Sequence, residues 1–281
     1  MGAGVRGSRP ASLAQRLLAT APMSNELAVY RVGPDPAEIV FLHGLLGQGR
    51  NWFTIAKGLA PTSGLLVDLP HHGRSGRSRP ITYPDLAEEV ADLLTDSGTV
   101  HRPVTLVGHS MGGKVAMSIA LAYPGLVGRL VVVDIAPAQV DPAGFGPYLD
   151  AMLAIDLDRL EDRQQAEQQL MAAAPDPTVR GFLLQNLRRS QQGWFWSANL
   201  TGLRAALDRI GGWQTPTGPA YDGPVLWLAG QQSTYVRREQ LPQMRALFPR
   251  VRLVTVKNAG HWVHADQPQV TIDLLRRFLA G

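Results

Sequence analysis

Short apolar runs alternate with amphipathic stretches along most of this 281-residue chain. Brief apolar runs bounded by turn residues read as buried strands, and apolar positions at i, i+4, i+7 and i+8 read as helices packed by one face. Leu27–Val32 reads as a first, edge strand, Glu38–Leu42 as a buried strand ending at His43-Gly44, and Asn51–Leu59 as a helix. Leu65–Asp68 is the next strand, ending in a Pro70/Gly73 loop. Pro84–Thr95 is a helix with Leu86, Val90, Leu93 and Leu94 on one face. Val104–Val107 is a strand running into Gly108, Met111–Tyr123 a helix of small residues, and Leu130–Val133 a strand ending at Asp134. This alternation predicts an α/β fold, a mostly parallel central sheet flanked by helices.

The rhythm stops between about Gln139 and Tyr221. Asp158–Ala173, Asp176–Arg189 and Leu200–Ile210 read as helices, and Trp194, Phe195, Trp196 and Trp213 cluster there. Strand Val225–Leu228, helix Arg237–Leu247, strand Val251–Val256 and helix Pro268–Leu279 then resume the pattern. The organisation expected is a core of residues 26–138 and 222–281 with a helical lid, 139–221, inserted between two strands.

Charge changes this picture only at one end. The formal net charge is +4. Arg6, Arg9 and Arg16, with no acid before residue 26, carry three of those charges and leave the body at +1. A body that near neutrality lacks the basic stripe that tracks phosphates, so no nucleic-acid partner is expected. Residues 1–25 are expected to be a basic, disordered extension; a transit peptide or a start at Met23 are the other readings. The chain has no cysteine, which excludes disulfides, thiolate metal sites and a cysteine nucleophile. It has no apolar run long enough to span a membrane. The expected location is cytoplasmic.

Gly108-His109-Ser110-Met111-Gly112 matches G-x-S-x-G between a buried strand and a helix. In that context the serine stands on a strained turn, and the flanking glycines let backbones approach closely. Ser110 is the candidate nucleophile, and the N–H of Met111 a candidate oxyanion donor. His43-Gly44-Leu45-Leu46-Gly47 follows an earlier strand and offers the N–H of Leu45 as the second donor. His43 and Gly44 are expected to face the substrate. His261, on the loop after the last strand, is the candidate base, because a serine hydroxyl needs a neighbouring imidazole to take its proton. His264, three residues on, is the alternative and is expected to support structure.

The acid is less obvious. The loop after Val225–Leu228 has no carboxylate; the nearest is Glu239. Asp134 stands directly at a strand end and is chosen, its competing role being to anchor the inserted block. Trp194, Trp196 and Trp213 are candidates for lining an acyl pocket, or for the lid's own core. His71-His72 reads as an ordinary surface loop rather than a metal pair. Asp68 with Gly73 and Ser75 reads as a turn, and Lys114 as a member of an ion pair.

From about Val29 onward these residues resemble the α/β-hydrolase superfamily. His43 through Gly47, Asn51-Trp52, Asp68 through Ser75, Gly108 through Lys114 and Val132 through Pro137 resemble its small lidded bacterial-type carboxylesterases. Trp196 with Asn199-Leu200, and Gly230…Ser233…Tyr235, are similar to that group too. The latter pattern stands where other hydrolases keep an acid, which supports Asp134 by analogy. The resemblance implies a carboxylesterase for small acyl esters, extending to thioesters, with no metal or organic cofactor. Two rivals share the fold: a triad enzyme for C–C hydrolysis, lyase or peracid chemistry, and a ligand-binding signalling receptor. Haloalkane dehalogenases and epoxide hydrolases need Asp at the nucleophile position, so Ser110 argues against both.

Overall fold

In the computed structural model, which describes residues 26–77, 79–96 and 99–281, seven strands form one sheet. The expected extension at 1–25 lies outside the described residues. The strands before the insertion are β1 (Val29–Val32), β2 (Ala37–Leu42), β3 (Gly64–Val67), β4 (Val100–His109) and β5 (Val127–Val133). A separate hairpin, β6 (Leu187–Ser190) and β7 (Gly193–Trp196), precedes β8 (Val225–Gly230) and β9 (Val251–Val256). The large sheet runs β1-β3-β2-β4-β5-β8-β9, with only β1 antiparallel to its neighbour.

Side chains alternate across this sheet, so each central strand feeds two cores. Val40, Leu42, Leu106, Val132 and Trp227 pack on one face; Ile39, Phe41, Val107, Val131 and Leu228 pack on the other. That is why β2, β5 and β8 read as near-continuous apolar runs. β4 begins at Val100, four residues before the expected start. His101, Arg102 and Pro103 are exposed and polar or ring-locked, and this first part pairs with β2 only at Val100–Ala37 before the register shifts.

The helices are α1 (Phe53–Gly58), α2 (Tyr83–Thr95), α3 (Met111–Ala122), α4 (Gly146–Ala154), α5 (Arg163–Leu170), α6 (Pro177–Leu184), α7 (Leu200–Ala205), α8 (Leu207–Gly211), α9 (Leu241–Leu247), α10 (Val263–Asp266) and α11 (Pro268–Ala280). α2 starts where Thr82 accepts the N–H of Asp85 and Pro84 occupies the first turn. It packs with α3 on the first face through Leu86, Val90, Val115 and Ile119. α1 and α11 cover the second face through Ile55, Ala56, Ile272 and Leu275.

The block 139–221 differs from the all-helical insertion expected. The helix expected over Asp176–Arg189 ends at Leu184, and β6 and β7 follow as a hairpin. Leu187 pairs with Trp196 and Arg189 with Trp194. Gly193 takes φ +118° at the turn, which glycine alone adopts cheaply. Aromatic residues at 194–196 favour the pleated surface. The helix expected over Leu200–Ile210 is two short ones, with Asn199 capping the first by accepting the N–H of Gly202 at 3.1 Å.

Candidate active site

β4 ends at His109 and α3 begins at Met111, so Ser110 alone makes the turn between them. Its φ of 52° and ψ of −121° lie outside the regions an L-residue prefers. Such a conformation costs about 1–3 kcal/mol and persists only where the surroundings enforce it. Here its N–H is held by the carbonyl of Val133 on β5 at 3.0 Å. Glycine is required on both sides. A Cβ at Gly108 would run into the Gly112 oxygen, and one at Gly112 would stand 2.5 Å from the His43 oxygen.

Asp134 follows β5 and also takes a positive φ, 52°, its N–H donating to Leu228 O at 2.8 Å. The side chain is fully buried. Oδ1 accepts the N–H of Gly230 at 2.9 Å, and Oδ2 accepts from Ser233 Oγ and, at 2.8 Å, from His261 Nδ1. A carboxylate only accepts, so Nδ1 carries the imidazole proton and leaves Nε2 bare. Nε2 lies 3.0 Å from Ser110 Oγ. Ser110, His261 and Asp134, chosen from the sequence, are thus joined by hydrogen bonds across the ends of β4, β5 and β9.

The His261 ring is fixed from two further directions. Tyr235 stacks on it with centroids 4.0 Å apart and planes 22° apart. His109 Nε2 donates to the His261 carbonyl at 2.8 Å, tying the residue before Ser110 to the loop that carries the imidazole. Glu239, the other acid considered, is exposed on a short 3₁₀ turn before α9. His264 stacks on Trp52 at 4.2 Å and meets the His109 ring edge-on at 4.8 Å, a place in the core.

Leu45 and Met111 both line a narrow cavity, about 30 Å³, that opens on Ser110. The loop carrying Leu45 is anchored next door: Leu46 takes φ 60° and donates its N–H to His72 Nε2 at 3.1 Å. His72 Nδ1 in turn donates to Pro70 O at 3.0 Å. The surface loop expected at His71-His72 is therefore corrected, since both rings are buried and His72 braces the Leu45–Leu46 turn. Gly44 backs onto Ser110, where a Cβ would come within 3.1 Å of the serine Cβ.

His43 is not a substrate-facing group in this geometry. Its Nε2 accepts the N–H of Leu69 at 2.9 Å and its Nδ1 donates to Gly44 O at 2.8 Å. Burial pushes His43 down to about 4, and burial with the neighbouring His43 pushes His72 to about 3. Both stay neutral and act as fixed braces.

Of the two readings for the tryptophans, the structure favours packing against the core over lining the pocket. Trp194, Trp196 and Trp213 are not among the residues lining the cavity at Ser110. Trp194 lies under the Arg189 guanidinium at 5.3 Å, Trp196 pairs with Leu187 in the hairpin, and Trp213 Nε1 donates to Thr215 at 2.9 Å. The wall is built instead by Tyr83, Ile135, Val140, Phe145, Ile210 and Tyr235. Nothing in the sequence marks these, because they come from five separate segments. Lys114, read as an ion-pair member, instead donates to the backbone carbonyls of Gly211 and Gly212. Asp68 closes the turn after β3, as expected, accepting from Gly49 N at 2.7 Å and Arg74 N at 2.9 Å. Among the described residues, no cluster of three His, Asp or Glu could hold a metal, and no helix is long and apolar enough to cross a membrane.

Residues 38–268 match the family described as alpha/beta hydrolase fold. The chain is 40% identical over 86% of its length to a mouse protein named sn-1-specific diacylglycerol lipase ABHD11, covering 80% of that protein. It is 31% identical over 86% of its length to Esterase YbfF of Escherichia coli, covering 92% of it. A solved marine microorganism esterase superposes with a TM-score of 0.86 at 32% identity, over 91% of this chain and all of the other. The chain therefore belongs to the α/β-hydrolase fold family, as an esterase-like member.

Proposed function

We propose that this protein hydrolyses small acyl esters through an acyl-enzyme formed on Ser110. It is a serine hydrolase acting on ester bonds. The reading rests on one observation above all, the relay from Ser110 Oγ to His261 Nε2 at 3.0 Å and from His261 Nδ1 to Asp134 Oδ2 at 2.8 Å. Ser110 attacks the ester carbonyl as His261 takes its proton, and the N–H groups of Leu45 and Met111 hold the developing oxyanion. His261 then protonates the departing alcohol. A water, deprotonated by His261, attacks the acyl-enzyme and releases the acid. Asp134 keeps the imidazole in the productive tautomer and stabilises the imidazolium.

Residues 139–221 act as a lid. Val140, Phe145 and Ile210 from this block line the narrow cavity together with Ile135 and Leu45 from the core. Such walls favour a short acyl arm over a long one. A thioester with the same arm follows the same route. Each chemical role is filled by a protein group, so the route calls on no cofactor. A panel of esters and thioesters of increasing acyl length, with Ser110→Ala as control, tests the reading. Turnover concentrated on short arms and absent from Ser110→Ala supports it. Turnover that survives Ser110→Ala overturns it.

A further inference from the structure

Lys114 lies one helical turn beyond Ser110 on α3, about 6 Å along the axis. It lines the same cavity, and its side chain is fully buried. Nζ donates to the carbonyl of Gly211 at 2.8 Å and of Gly212 at 2.6 Å, and it stands 5.5 Å from the centre of the Tyr83 ring. The Tyr83 hydroxyl is turned to another partner, donating to Ile210 O at 2.7 Å. An ammonium has three N–H groups. Among the described residues, the third has no acceptor.

The two carbonyl bonds explain why a lysine ties α3 to the end of α8. They do not explain a cation on the wall of the cavity beside the nucleophile. A buried charge with only neutral partners is unfavourable, and an anion brought into the same space would offset that cost. Burial lowers Lys114 to about 8, which leaves it mostly protonated at neutral pH. The other charged group on the cavity wall is Asp141, an exposed residue, whereas Lys114 is fully buried, so screening weakens the carboxylate's field more than the ammonium's.

We propose that Lys114 forms the inner end of the acyl pocket and selects short acyl arms that end in a carboxylate, as in a monoester of a dicarboxylic acid. The proposal rests on the esterase reading of Ser110. The reaction itself is unchanged: ester and water give the dicarboxylate and the alcohol. The ester carbonyl sits at Ser110, and the free carboxylate accepts the third N–H of Lys114.

The test compares monomethyl succinate with methyl 4-methylpentanoate, whose branched end has the shape of the carboxylate without its charge. Acid release is followed by titration at constant pH. Wild-type kcat/KM is expected to be at least tenfold higher for monomethyl succinate; an equal or lower value overturns the proposal. Lys114→Met keeps the stem and removes the charge, and is expected to abolish the preference; a variant that keeps it overturns the proposal. Should that variant not fold, the wild-type comparison still decides. Binding of both esters to the Ser110→Ala protein is measured calorimetrically, where monomethyl succinate is expected to bind at least tenfold more tightly. That preference without any wild-type turnover overturns the esterase reading and keeps the subsite. Turnover without the preference overturns the subsite and keeps the esterase reading.

Discussion

Asp134 Oδ2 and His261 Nδ1 lie 2.8 Å apart, although the two residues are 127 positions apart in the chain. The contact spans the ends of β5 and the loop after β9, with β8 between them. The same oxygen accepts the hydroxyl of Ser233, and the other carboxylate oxygen accepts the N–H of Gly230. Three donors thus orient one buried carboxylate on one imidazole.

Exchanging Asp134 for Asn reverses the hydrogen bond to Nδ1 and puts the ring proton on Nε2, facing Ser110. We expect Asp134→Asn to lower kcat by about 10⁴ with little change in fold. Glu239→Gln is expected to leave kcat unchanged. Steady-state kinetics on a short-chain ester, with circular dichroism as the fold check, settles the pair; the opposite pattern would assign the acid to Glu239.

Labelling by a fluorophosphonate probe should require Ser110. Ser110→Ala is expected to lose both the label and ester turnover, while His261→Ala keeps the hydroxyl and loses its base. Mass spectrometry of the labelled protein locates the adduct. An adduct on any other serine contradicts the nucleophile assignment.

Ser233 donates its hydroxyl to Asp134, so its effect is expected to pass through that carboxylate rather than through substrate. A hydrogen bond to a charged group contributes about 1.5–3 kcal/mol, so Ser233→Ala is expected to lower kcat roughly 10- to 100-fold. Ser233→Thr keeps the hydroxyl and should recover most of it. A Thr variant as slow as the Ala variant would mean that packing, not the hydroxyl, is what Ser233 supplies.

Five buried histidines, His43, His71, His72, His109 and His264, make stability depend on pH, because burial lowers the pKa of each. Burial pushes His43 down to about 4, and both His72 and His264 down to about 3. Below the ordinary histidine value of about 6.5 the unfolded chain takes up protons that the folded chain refuses. Their stabilisation is therefore complete above pH 6.5 and is lost as pH falls toward 3–4. We expect Tm to drop steadily between pH 7 and pH 5. His264→Phe keeps a ring stacked on Trp52, removes one such group and replaces a buried Nδ1 that has no hydrogen-bond partner. Its Tm should fall less over that interval. An equal fall would show that His264 does not contribute.

Gly112 faces backbone on two sides, with the oxygens of His43 and Leu42 at 2.5 and 2.6 Å from a built Cβ. Neither can move without shifting β2 or the loop that carries Leu45. Gly112→Ala is expected to lower stability by at least about 1–3 kcal/mol, the usual cost of overpacking. Gly125→Ala, which meets nothing within 4 Å, serves as the control and should unfold like wild type.

Local physics made much of this protein legible in its sequence. Apolar runs such as Leu130–Val133 in β5 mark strands covered on both faces, and the strand–turn–helix around Ser110 follows from two glycines that admit no Cβ. His261 and Asp134 could be singled out as residues at strand ends. Long-range contacts decided the rest. The order of β5, β8 and β9 determines that Asp134 reaches His261 and that Ser233, not an acid, completes its shell. His72 reads as part of a polar loop until β2 and β3 bring it under Leu46. The tryptophans of the inserted block read equally as pocket wall or core until the fold packs them against the core, and residues from five segments make the wall. Periodicity and steric fit act between neighbours and survive in a string of letters; hydrogen bonds between residues more than a hundred positions apart exist only once the sheet has set their distances.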